Sequence, residues 1–105
     1  MHKIIIKEYF TATPGSRYIK DGPFSGEQFR DEFLEPLFTD KDDDSPIKIY
    51  LDGTEGYPSS FLDEAFGGLS LKYTKERVIN RMTFISEENP ILIKEIERYI
   101  ERQLC

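Results

Sequence analysis

Residues 47–69 read IKIYLDGTEGYPSSFLDEAFGGL, and their pattern changes period halfway along. Ile47-Lys48-Ile49-Tyr50-Leu51 alternates apolar and polar side chains, the repeat of a strand with one buried face. Asp52-Gly53 is a turn dipeptide. Beyond it Phe61, Leu62, Ala65, Phe66 and Leu69 fall on one face of a helix. Gly67-Gly68 either ends that helix or lets it pack closely on a sheet. The stretch is therefore a central strand, a short turn and a covering helix, the unit from which parallel α/β sheets are built.

Two adjacent hydroxyls, Ser59 and Ser60, stand where this helix begins. Pro58 suits a first helical position, while Ser60 with Asp63 matches a capping box, so the cap is not fixed to one residue. In either register a hydroxyl lies in the positive field of the helix start. A phosphate added there would be met favourably by that field and would bring close to two negative charges to the surface.

Working outward, Ile4 to Tyr9 is β-branched and bounded by charge, as a first strand is. The segment TATPGSRYIKDGPFSG follows, with turns at Pro14-Gly15 and Asp21-Gly22, and Ser16–Ile19 as a short edge strand or an extended loop. A helix then opens at Ser25, with Gln28 completing a capping box and Phe24 and Phe29 spaced as a hydrophobic staple. Phe29, Phe33, Leu34, Leu37 and Phe38 form its apolar face, and Pro36 kinks or frays its last turn. The third strand lies within Val78–Ile85, best at Met82–Ile85, with a short helical turn from Thr74 before it. A final helix is capped at Asn89 and opened by Pro90, with Ile93, Ile96, Ile100 and Leu104 as its stripe, widened by Leu92 and Tyr99. The expectation is one α/β domain over residues 1–105, a small sandwich whose mixed, mostly parallel sheet is packed with helices.

Composition removes several kinds of chemistry. A net charge of -6 with dispersed basic residues gives no footprint for nucleic acid. The sole cysteine is Cys105, so neither a disulfide nor a thiolate cluster can form within the chain. The sole histidine, His2, is badly placed for a Ser-His-Asp triad or a zinc site. Asp40, Asp42 and Asp44 are spaced like the start of a calcium loop, but Ser45 and Leu51 occupy the positions that need Gly and Glu. A solvated acidic turn fits better, and no metal or other cofactor is expected. Gly56-Tyr57-Pro58-Ser59-Ser60 lacks the glycines of a nucleophile elbow, and nothing in the spacing brings Lys48, Lys72 or Lys75 to the serines as a base. An enzyme is not expected. The apolar run near the N-terminus is too short for a signal peptide or a membrane span, so the expected setting is cytoplasmic.

Nucleotide-binding fingerprints are absent, yet Arg17, Lys20 and the helix start at Ser25 offer a candidate anion site. A small-ligand or nucleotide-binding domain is accordingly the alternative function.

PGSRYIKDGPFSGEQFRDEFLEPLF and IYLDGTEGYPSSFLDEAFGGL together resemble the STAS-like family of bacterial proteins of unknown function. The first is similar to its R-Y-x-x-D-G-P-x-S-G-E-x-F-R stretch, the second to its D-G-x-x-G-Y-x-S-S-F-L-x-E-A-F-G-G-L stretch. That family is in turn similar to STAS domains, the fold of anti-sigma-factor antagonists. There a serine at a helix start is phosphorylated by a histidine-kinase-like ATPase, which switches partner binding off. The resemblance implies a non-enzymatic regulatory interaction module, with Ser60, or failing it Ser59, as phosphoacceptor. Asp52, Gly53, Thr54, Gly56 and Tyr57 would form the adjoining interaction loop. Pro58 and Phe61 flank the pair where such STAS domains usually carry Asp and Gly.

Overall fold

The structure, a computed structural model, describes residues 2–102. Three strands, β1 (His2–Ile5), β2 (Ile47–Tyr50) and β3 (Met82–Ile85), form a sheet of order β1-β2-β3. Both pairings are parallel, with Ile4 beside Ile49 and Ile49 beside Phe84. The central place expected of the 47–51 strand is the one it occupies. The sheet is parallel throughout the described residues rather than mixed, because each pair of strands is joined by a helical crossover, which parallel strands require. Ile47 and Ile49 are fully buried, while Lys48 and Tyr50 on the other face are half-buried.

Among the described residues five helices surround the sheet, besides a 3₁₀ turn at Ile19–Asp21. The first, α1 (Ile6–Tyr9), replaces the second half of the expected first strand. β1 stops at Ile5 because its partner ends at Tyr50. The chain then turns at once, with the amides of Phe10 and Thr11 both donating to the Ile6 carbonyl. Alternation cannot report such an end, since it is set by the neighbouring strand.

Residues 16–19 make no edge strand and run as an extended loop into a 3₁₀ turn at Ile19–Asp21. The carbonyls of Ser16 and Arg17 instead accept the amides of Gly26 and Glu27 at 2.9 and 3.0 Å, fastening the loop to the next helix. That helix, α2 (residues 26–37), is α-helical over Gly26–Phe29, π-helical over Arg30–Leu34 and 3₁₀ over Glu35–Leu37. Pro36 lacks the amide that an α-helical ladder would need there, and the helix changes pitch around it. Ser25 caps it, its Oγ accepting the Gln28 amide at 3.0 Å. The Gln28 side chain takes the amide of Phe24, one residue ahead of the usual capping-box partner. Phe24 reaches Phe29 through Phe10, whose ring lies 5.5 Å from one and 5.2 Å from the other.

The helix α3 (residues 59–73) has the same construction, α over Ser59–Leu62 and Gly68–Tyr73 with a π-helical stretch, Asp63–Gly67, between them. Gly67-Gly68 does not end it. A side chain at Gly68 would lie 2.4 Å from Arg30 Nη1, so glycine there admits the arginine. Thr74, at φ 77°, breaks the helix and caps α4 (Lys75–Arg81). The last helix, α5 (Ile91–Glu101), starts one residue later than expected. Asn89 supplies it a main-chain carbonyl, 3.0 Å from the Leu92 amide, rather than a side-chain cap. Ile96 and Ile100 are buried as the stripe requires; Leu104 and Cys105 lie outside the described residues.

Phe29, Leu34, Phe38, Phe61, Phe66 and Leu69 are fully buried between the helices and the sheet. Burying a side chain of this size stabilises the fold by about 1.5–3 kcal/mol. The Phe61 and Leu62 anchors fix the rotation of α3 and turn the residues just before them outward.

Beneath this core lies a cation that the sequence did not flag. Arg81 is 2% exposed. Its Nη1 donates to the Leu37 carbonyl and its Nε to the Ser45 carbonyl, and it stacks 4.6 Å over Phe38. Asp43, in the acidic turn, approaches Arg81 Nη2 at 3.8 Å. Hydrogen bonds from the Ser45 hydroxyl and amide hold the Asp43 carboxyl below its ordinary range, and Arg81 adds to this. The acidic turn is thus partly a lid on a buried guanidinium.

Candidate functional site

The loops that leave the C-terminal ends of parallel strands are where open α/β sheets place their sites. Here that edge carries the 52–58 junction, which is hydrogen-bonded to two other segments of the chain. The Asp52 carboxylate accepts the amides of Glu87 and Glu88, just beyond β3, at 3.0 and 2.9 Å. Glu88 answers with its own carboxylate, taking the Gly53 amide at 2.9 Å. Glu55 donates its amide to the Ala12 carbonyl at 2.8 Å, tying the junction to the chain beyond α1. Gly53 (φ 91°) is in the region that favours glycine, and a side chain there would also meet Lys7.

Tyr57 closes the loop from inside. Its hydroxyl donates to the Leu51 carbonyl at 2.8 Å and its ring lies 6.0 Å from that of Phe61. Burial pushes its ionisation up to about 12, against a hydrogen bond from Thr54 and together with the charges of Asp52 and Glu88. Of the expected interaction loop, Asp52, Gly53, Thr54, Gly56 and Tyr57 therefore lie in one clasped segment. Gly56 is exposed at its tip.

The serines have a different place from the one the capping patterns gave. Pro58 occupies the cap, no side chain makes a cap bond, and Ser59 and Ser60 are the first two helical residues. Ser60 is the second helical residue and not the cap, so the Ser60–Asp63 capping box does not form, and the Asp63 carboxylate lies 3.1 Å from Arg17 and 3.4 Å from Arg102. Ser59 is exposed and Ser60 half-buried. The Ser60 hydroxyl belongs to the first turn of a long helix, one turn ahead of Asp63 and Glu64.

The candidate anion site is taken apart by its surroundings. Arg17 faces Asp63 and Glu64, at 3.1 and 3.4 Å. Lys20 is exposed and lies over the Tyr18 ring. Ser25 is fully buried and occupied by its cap bond. Arg17 is instead the outer member of a charge network that spans α2 and α3. Arg30 reaches Glu64 Oε2 at 2.6 Å, the Glu64 carbonyl at 2.8 Å and Glu35 at 3.2 Å. Lys72 completes it at 2.7 Å from Glu35. Burial works against the charge of Glu35, but Lys72 and Arg30 outweigh it and hold the carboxyl below its usual range.

Arg17, Arg30, Asp63, Glu64 and Lys72, with Gly68 and Leu71, line a cleft of about 380 Å³. The two π-helical stretches start at Arg30 and at Asp63, so both helices are widened where they face this cleft. The helical periodicity of the sequence did not disclose it, because a pitch change leaves no mark in an apolar repeat. Among the described residues no group of three or more His, Cys, Asp or Glu side chains is placed to hold a metal ion. No helix of these residues is long and apolar enough to cross a membrane.

No curated protein and no solved structure matches the chain. The family model of the STAS-like domain of unknown function (DUF4325) matches residues 25–92, from the Ser25 cap through β2, the clasped junction and β3 to the start of α5. The chain belongs to that STAS-like family.

Proposed function

We propose that the domain is a non-enzymatic regulatory module that binds a protein partner through the 52–57 loop and the first turn of α3. The partner on this reading is a histidine-kinase-like ATPase, and phosphorylation of Ser60, or of Ser59, releases it. The observation that carries the reading is that both serines open a helix without capping it, beside a loop tied to two other segments of the chain. A preformed surface loses little conformational freedom on binding. A phosphate in its centre adds close to two negative charges where the partner must fit.

The residues flanking the pair bear on how a kinase would read it. Phe61 is fully buried in the core, so its departure from the usual glycine is turned away from any enzyme. Pro58 is exposed and is the departure a kinase would meet. The test compares complex formation by the wild type, Ser60→Ala and Ser60→Asp with the kinase-like ATPase. The aspartate variant is expected to bind at least tenfold more weakly and the alanine variant to bind as the wild type does. Equal binding by all three contradicts the switch.

A further inference from the structure

Arg17 sits beside the proposed switch without taking part in it. Its loop is bonded to α2 through Gly26 and Glu27, at 2.9 and 3.0 Å. Gly26 in turn packs so closely on α3 that a side chain there would lie 2.4 Å from the Phe61 carbonyl. The loop is therefore held against the first turn of α3, where Ser60 is the residue before Phe61. On that helix Ser60, Asp63 and Glu64 stand at i, i+3 and i+4, one above the other on one side. Arg17 already reaches the second and third of these, at 3.1 and 3.4 Å, and its side chain is one-third exposed.

We propose that Arg17 is the residue that senses the phosphate: when Ser60 is phosphorylated, the guanidinium exchanges Asp63 and Glu64 for the phosphate oxygens. This rests on the switch reading of Ser60 given above. Phosphorylation forms the Ser60 Oγ–P bond as the β–γ phosphoanhydride of a nucleoside triphosphate breaks; the hydroxyl proton passes to solvent and the diphosphate leaves with the kinase. The new group carries more charge than either carboxylate and offers the flat guanidinium two oxygens at once. Neither carboxylate is left without a cation. Arg102 lies 3.4 Å from Asp63, and Arg30 holds Glu64 at 2.6 Å. The exchange is made by the Arg17 side chain alone, since its carbonyl stays bonded to the Glu27 amide at 3.0 Å.

The test needs no kinase. The full chain is made with phosphoserine placed at position 60 during translation, and the phosphate is titrated by phosphorus NMR. A free phosphoserine has its second ionisation near 6. With Arg17 present, the ionisation is expected about one unit lower than in the same protein carrying Arg17→Gln, with Arg17→Lys in between. Identical titrations in all three overturn the exchange, even if phosphorylation still releases the partner. The shift without any effect on partner binding supports the exchange and removes the proposed function instead.

Discussion

The Asp52 carboxylate accepts the main-chain amide of Glu88 at 2.9 Å, and the Glu88 carboxylate accepts the amide of Gly53, the residue after Asp52, also at 2.9 Å. Each carboxylate thus holds the other's main chain, and the loops beyond β2 and β3 are locked as a pair. Charge-assisted bonds to amides are roughly twice as strong as neutral ones. Asp52→Ala removes both acceptors of the Glu87 and Glu88 amides and is expected to destabilise the fold by about 2 kcal/mol in urea denaturation. A change too small to measure would mean that the clasp is not maintained in solution.

Gly26 is where α2 meets α3, and nothing larger fits. Gly26→Ala forces a methyl group against the Phe61 carbonyl, a main-chain atom that cannot swing aside. Overpacking of this kind costs about 1–3 kcal/mol. Thermal unfolding of Gly26→Ala beside Gly56→Ala separates the causes, because a side chain at Gly56 would meet open space although its φ of 133° is strained. Gly26→Ala as stable as the wild type would contradict the helix contact, because Gly26, unlike Gly56, has no positive φ and its penalty has no backbone-strain part.

Arg81 binds the Leu37 and Ser45 carbonyls from inside the protein. Arg81→Met keeps much of the volume over Phe38 but leaves both carbonyls without their donor, an expected loss of about 3 kcal/mol in chemical denaturation. Arg81→Lys supplies one donor site in place of a fork and falls between. A methionine variant as stable as the wild type would show that stacking on Phe38, and not hydrogen bonding, holds this corner.

Tyr57 makes alkaline stability informative. Its ionisation in the folded chain is pushed up to about 12, whereas a tyrosine in an unfolded chain ionises near 10. The unfolded chain loses this proton first, so the contribution is whole below about pH 10 and is lost as pH rises from there through about 12. Tyr57→Phe, which also forfeits the bond to Leu51, is expected to be about 1 kcal/mol less stable at neutral pH. It is also expected to fall less steeply than the wild type between pH 10 and 12. Parallel curves would place the wild-type hydroxyl in water.

The strand–turn–helix of residues 47–69 was legible because each half has its own period and Asp52-Gly53 marks the change. The end of β1 was not, since Ile6 is as apolar and as buried as a strand residue but has no partner beyond Tyr50 to pair with. The serines were legible as a helix start, but not their place inside it, because a proline suits the first helical position and nothing in the sequence marks Pro58 as the cap instead. Arg17 itself was visible as a candidate anion ligand, but not the carboxylates that already occupy it. Arg81 gave no signal, because an arginine at the end of a polar helix looks like any surface residue until the acidic turn folds over it.

The most direct measurement compares the affinity of the histidine-kinase-like ATPase for the unmodified chain and for the chain carrying phosphoserine at position 60. Tight binding of the unmodified chain, weakened at least tenfold by the phosphate, is the expected result. Equal affinity for both forms, or no complex with either, would contradict the reading of this junction as a phosphorylation-controlled interaction surface.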